Sequence, residues 1–150
     1  MTHVEEPAGL LAELGRALLR PPDGNPDEER EYVRLFLSPQ GAACPPWQSV
    51  WPQDGGDPRL MGEAHHSALE WYRRFGFEPA TEQEPADHAG LLLIFYAHLL
   101  EAASDDEVLT AYAGSHIAWL HHFSTKLEAE ARTPRYRQLA VRLKEILTAI

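Results

Sequence analysis

Along most of this chain the apolar residues recur every three or four positions, the spacing of a helix that buries one face. Leu10, Leu11, Leu14, Ala17 and Leu18 predict a first helix over 8–20, stopped by Pro21-Pro22. Asn25-Pro26 marks the start of a second, with Asp27, Glu28 and Glu29 in its first turn, where the helix dipole favours negative charge. Its apolar face is Tyr32, Val33, Leu35, Phe36 and Leu37. Residues 38–56 break helical spacing with repeated proline and glycine, yet they carry Trp47, Val50 and Trp51. A loop of that length with two tryptophans is expected to dock onto the body. Asp57-Pro58 then restarts helix, with the stripe Leu60, Ala64, Ala68, Trp71 and Phe75 running to Gly76.

The stretch EPADHAGLLLIFYAHLL, residues 84–100, is apolar nearly all round once past its threshold. It predicts a helix buried at the centre of a bundle, with Pro85 in the first turn and Asp87 placed to cap free backbone N–H groups. His88 beside it needs a further reason, because a helix N-terminus disfavours imidazolium. Ser104-x-x-Glu107 reads as a capping box that opens a fifth helix with the stripe Leu109, Tyr112, His116, Trp119, Leu120, Phe123 and Leu127. Thr133-Pro134 opens a sixth, with Tyr136, Leu139, Leu143, Ile146 and Ile150 at spacings of three and four. β-branched residues are too scattered to form strands. The expectation is an all-α, single-domain bundle of about six helices over residues 1–150.

Charge narrows the choice of partner. The chain of 150 residues has 13 basic and 23 acidic side chains and a net charge of -10, which disfavours nucleic acid and favours a cationic partner. Residues 1–100 hold most of the imbalance, 7 basic against 16 acidic, whereas 101–150 are nearly balanced at 6 against 7. No run is long enough for a membrane span, and the acidic start MTHVEEPAGLL lacks the features of a secretory signal, so a cytoplasmic protein is expected. The single cysteine, Cys44, excludes an internal disulfide.

Catalytic motifs are absent: no Gly-x-Ser-x-Gly elbow, no phosphate loop, no His-Glu-x-x-His. One Glu-x-x-His occurs, at Glu63 and His66, but a di-iron site needs a second. The expectation is therefore a protein without enzymatic activity, cofactor or metal. A small helical metal-binding protein or metalloenzyme using Glu63, His66, His88 and His116 is the alternative. The basic residues near the last helix, Arg132, Arg135, Arg137, Arg142 and Lys144, read as its solvated face.

Four segments, in order, carry a family resemblance: EYVRLF (31–36), CPPWQSVW (44–51), EPADH (84–88) and SHIAWLHHF (115–123). Together they resemble the TorD/DmsD family of cytoplasmic chaperones, also called redox enzyme maturation proteins. The resemblance implies an all-α fold and a non-catalytic task, binding a molybdenum-cofactor oxidoreductase of the DMSO-reductase type, or its twin-arginine signal peptide, until assembly is complete. By position it implies a peptide-binding face at Glu84, Pro85, Asp87 and His88. Trp47, Trp51, His116 and Trp119 are candidate walls of the same groove, because a signal peptide offers arginines beside an apolar stretch. Only 30 residues precede Glu31, fewer than is usual in that family. The expectation that follows is a shortened member, or one that completes its core as a homodimer.

Overall fold

The structure is a computed structural model that describes residues 6–38, 41–51, 59–79, 81, 83–102 and 104–150. Among these residues it contains seven α-helices and no strand: α1 (Pro7–Leu19), α2 (Pro26–Tyr32), α3 (Glu63–Arg74), α4 (Ala89–Glu101), α5 (Asp106–Tyr112), α6 (Leu120–Glu130) and α7 (Pro134–Ala149). The all-α bundle expected from periodicity is what the chain forms.

α4 is the spine. Apolar on every side, it buries Leu91, Leu92, Leu93, Phe95, Ala97 and Leu99, and such a helix is stable only with neighbours all round. α1 lies against it most closely, because Gly15 and Gly90 let the two backbones meet. A Cβ on Gly15 would stand 2.6 Å from the Gly90 carbonyl oxygen, and one on Gly90 would stand 2.5 Å from that of Gly15. Tyr72, Phe77, Phe95 and Tyr112 form an aromatic layer on one side of α4. Tyr32, Phe36, Phe123 and Tyr136 form a second where α2, α6 and α7 converge.

Asn25 caps α2 as its sequence implies, its Oδ1 accepting from the Glu28 N–H at 3.2 Å. The acids of α2 also reach across the bundle. Glu28 and Glu31 are buried, and their carboxylates accept from the backbone N–H groups of Arg135 (3.1 Å) and Arg132 (2.6 Å), at the start of α7. Arg34 closes the arrangement, donating to Glu31 at 2.7 Å and to the Glu130 carbonyl at 2.6 Å. Burial alone would raise the Glu31 pKa, but Arg34 and the Arg132 N–H outweigh it and hold the carboxyl below its usual range. The EYVRLF segment is thus a clasp between α2 and α7.

Several boundaries differ from the sequence reading, each for a local reason. α4 starts at Ala89, not at Pro85, because residues 85–88 form a turn whose backbone bonds to the loop before α3. α3 starts at Glu63; Arg59 to Gly62 are turn, with Leu60 exposed, and Asp57 and Pro58 lie outside the described residues. The buried face of α3 is His65, Ala68 and Tyr72, one step round from the expected stripe. Gly76 does end that helix in the left-handed region, at φ 64°.

The capping box at Ser104 does not form: Asp105 is the N-cap residue and no side chain caps the helix. What looked like one fifth helix is α5 and α6 joined by a π-helical turn, Ala113–Ile117, marked by the Ala118 N–H bonding five residues back to Ala113. That wider turn keeps Tyr112, His116, Trp119 and Phe123 all facing inward. A second π turn, Val33–Leu37, follows α2 and leaves Val33 and Leu37 exposed; Ile150, expected on the buried stripe of α7, is also exposed.

The α1–α4 crossing makes a direct prediction. Gly90→Ala or Gly15→Ala should force the helices apart and destabilise the protein by about 2–3 kcal/mol, the cost of overpacking a tight core contact. Thermal unfolding followed by circular dichroism measures it, with Gly9→Ala, which has open space around it and should stabilise the helix slightly, as the control.

Candidate functional site

The loop between α2 and α3 is stitched to the threshold of α4. Residues 46–48 run antiparallel to residues 87–89: the Gln48 N–H donates to the Asp87 carbonyl at 3.1 Å, and the Ala89 N–H donates to the Pro46 carbonyl at 2.7 Å. Side chains tighten the seam. Trp47 Nε1–H donates to Glu84 Oε1 at 2.6 Å, and the Ser49 N–H donates to Asp87 Oδ2 at 2.7 Å. Ser49 passes the connection on, its hydroxyl accepting from the Gly62 N–H at 3.1 Å and its carbonyl from the Arg59 N–H at 3.3 Å. One carboxylate therefore organises the loop and the turn that leads into α3.

His88 is the N-cap of α4: its Nδ1 accepts from the Gly90 N–H at 2.9 Å, and its carbonyl accepts from Leu92 at 3.0 Å. A neutral imidazole can do this, and an imidazolium cannot. Two more buried histidines act in the same way. His65 Nδ1 accepts from the Ala86 N–H at 2.8 Å, while Tyr72 holds the Ala86 carbonyl at 2.6 Å. His116 Nδ1–H donates to Gln48 Oε1 at 2.8 Å, which leaves its Nε2 to accept from the Ser67 hydroxyl at 3.0 Å. Gln48 Nε2 donates in turn to the Ser115 carbonyl at 2.8 Å. Burial pushes the pKa of His88 down to about 3 and that of His116 to about 4, and it lowers that of His65. All three are locked in the neutral form near pH 7.

The eight expected residues fall into two groups. Glu84, Pro85, Trp47 and Trp51 are partly exposed and form the outer rim. Asp87, His88, His116 and Trp119 are buried behind them. Trp51 connects the groups, its indole 6.4 Å from that of Trp119 and its N–H donating to the Pro45 carbonyl at 2.7 Å. Trp47 stands nearly perpendicular to His88, with ring centroids 5.9 Å apart. The expected first-turn cap at Asp87 is corrected: Asp87 precedes the helix, bonds the loop instead, and its Oδ1 is buried without a hydrogen-bond partner among the described residues.

Burial also raises the pKa of Glu84, against the Trp47 bond that lowers it, and the Asp87 charge adds to the rise. A cation at the rim would relieve both carboxylates. Gln48, Ser49, His65 and Ser67 were not foreseen as members of this network. Their signals were faint: two polar residues held between tryptophans in WQSVW, and the spacing of His65, Ala68 and Tyr72 along one helical face.

The metal reading finds no support in this geometry. His88 and His116 spend their ring lone pairs on protein donors, and among the described residues no group of three or more His, Cys, Asp or Glu side chains is placed to hold an ion. Cys44 is buried in the core, its thiol pushed up to about 12.

One solved structure, from Archaeoglobus fulgidus and described as a redox enzyme maturation protein, superposes with a TM-score of 0.65 at 21% identity, over 99% of this chain and 97% of the other. The family model described as nitrate reductase delta subunit matches residues 3–129, and the chain belongs to that family, together with the TorD and DmsD chaperones. It is 32% identical over 109 residues to the Tat proofreading chaperone DmsD of Salmonella typhi, covering 72% of this chain and 52% of that protein. With the chaperone protein TorD of Shewanella pealeana it shares 28% over 119 residues, 75% of this chain and 53% of the relative. The chain thus spans about half the length of the curated relatives it matches.

Two outcomes follow from the network. The three histidines charge more readily unfolded than folded, so their stabilisation is complete above pH 6.5 and is lost as pH falls from there towards about 4 and 3. Chemical denaturation at pH 7, 6 and 5 should show stability dropping on the order of 1 kcal/mol per pH unit for each fully shifted histidine; a flat profile contradicts the assignment. Asp87→Ala should cost about 1–2 kcal/mol by orphaning the Ser49 N–H, and should shift tryptophan fluorescence as the loop loosens.

Proposed function

We propose that this protein is a cytoplasmic chaperone without turnover, one that holds a molybdenum-cofactor oxidoreductase through its twin-arginine signal peptide until assembly is complete. The observation that carries this reading is the pair of carboxylates at the α4 threshold, Glu84 at the rim and Asp87 behind it with an unused oxygen, walled by Trp47 and Trp51. An arginine brings a planar fork of donors to such a site, and the apolar stretch beside it needs aromatic walls. The net charge of -10 draws a cationic segment towards the chain. Membership in a family whose relatives are named as a Tat proofreading chaperone and as TorD chaperones supports the same conclusion.

Within this proposal the eight residues divide by exposure. Glu84, Pro85, Trp47 and Trp51 touch the peptide. Asp87, His88, His116 and Trp119 position them, since each is buried and the first three tie the loop to α3, α4 or the π turn after α5. A homodimer belongs to the proposal as well, and the molar mass by light scattering at high concentration decides it.

Glu84→Gln separates contact from scaffold. Its amide oxygen can still accept from Trp47 Nε1, so the melting temperature should barely move, while affinity for a twin-arginine peptide drops about tenfold in calorimetry. Arginine prefers the ionised carboxylate, so wild-type affinity should be full at neutral pH. It should fall as pH drops through the raised Glu84 pKa, beginning above the ordinary value of 4.5. Glu84→Gln should lack that pH step. Unchanged affinity in the variant, together with no oxidoreductase co-purifying with the tagged protein from its own host, overturns the proposal.

A further inference from the structure

On a different part of the molecule, α1 and α7 border an open cleft of about 470 Å³. α1 supplies Glu13 and Arg16, Arg20 follows at its C-terminal cap, and α7 supplies Arg135, Gln138 and Arg142, the set on α7 at steps of three and four along one side of the helix. Leu14, Ala17 and Leu139 lie between the rows, and Pro21 and Pro22 close one end. Four of the chain's 13 basic residues meet here, against two carboxylates, Glu13 and Asp23, in a protein whose net charge is -10. The cleft is a local positive site on an acidic molecule.

Three of the four guanidinium groups form no ion pair among the described residues. Arg142 is held by Glu13 at 3.2 Å. Among the described residues no carboxylate forms an ion pair with Arg16, Arg20 or Arg135. Arg16 and Arg20 stand at the end of α1, where positive charge suits the helix dipole, but that explains neither Arg135 nor the convergence of both helices on one cavity. Like charges gathered this way repel one another, and a bound polyanion removes the repulsion while giving each fork a matching set of oxygens.

We propose that the α1–α7 cleft binds a small phosphorylated molecule. A phosphate brings close to two negative charges and three strong acceptor oxygens, enough to engage Arg16, Arg20 and Arg135 together, where a single carboxylate offers one charge and two oxygens. The volume falls in the range of small-ligand pockets and exceeds what a phosphate alone would fill. Ala17, half-buried between the rows, then faces the organic body of the ligand, and Gln138 can donate to a hydroxyl or carbonyl on it. This site is independent of the Glu84 rim.

The probe is inorganic pyrophosphate, titrated into the full chain at low salt by calorimetry and by NMR of the arginine Nε–H signals. The expected result is one-site binding at about millimolar affinity or tighter, with shifts at Arg16, Arg20 and Arg135, a raised melting temperature, and weakening as salt is added. Arg16→Ala/Arg135→Ala should reduce affinity at least about tenfold, whereas Glu84→Gln should bind pyrophosphate as the wild type does. All three arginines are exposed, and the wild-type NMR shifts read the site even if the double variant is poorly folded. The proposal is overturned by the absence of saturable binding up to 10 mM, by shifts that fall elsewhere, or by a poly-glutamate peptide that binds the cleft more tightly than pyrophosphate (the 10 mM ceiling being about tenfold above the weakest expected constant).

Discussion

The start of a fully buried helix is the constraint on which the rest of this structure turns. The first N–H groups of any α-helix lack partners within it, and at a buried end water cannot supply them. α4 begins in the interior, with Asp87, His88, Ala89 and Gly90 all buried. Its two leading donors are met by the Pro46 carbonyl and by His88 Nδ1. The loop that contains Pro46 therefore cannot be detached without leaving a buried donor unpaired, and Cys44 and Pro46 are buried together with the helices.

From that seam the polar network spreads in an ordered way. Asp87 holds Ser49, which holds the turn before α3; Gln48 holds His116, which reaches back to Ser67 on α3. Because each histidine serves as an acceptor at one ring nitrogen, the network needs them uncharged, and burial keeps them so. The outcome is a rim of partly exposed tryptophans and Glu84 resting on a buried, hydrogen-bonded scaffold whose histidines are uncharged. Preorganised acceptors of this kind suit a cationic segment, while the arginine cleft between α1 and α7 concentrates the opposite charge in another part of the molecule.

Much of the architecture is legible in the residues themselves. Periodic apolar stripes locate α1, α3, α4, α6 and α7, because each helix buries one stripe or, for α4, most of its surface. The Asn25 cap and the Gly76 terminus are local chemistry and read correctly. Bonds between distant residues are what the sequence does not show. Asp87 reads as a cap for the nearest helix end, yet it bonds a loop 38 residues earlier; Glu28 lies in the first turn of α2 as its position implies, and it also bonds α7, 107 residues later. The π turns, Val33–Leu37 and Ala113–Ile117, were not legible either, since the apolar spacing around them reads as continuous α-helix.

What the sequence by itself determined is the class of fold, the central place of residues 89–101 and the family, since hydrophobic periodicity and ordered motifs are properties of the chain. Tertiary structure alone decided which polar residues work together. Gln48, Ser49, His65, Asp87 and His116 are distant in sequence and meet only when the loop closes over α4. It also decided their charge states, because a histidine's pKa depends on how deeply it is buried and on which neighbour its nitrogens face. Neither quantity exists until the helices pack.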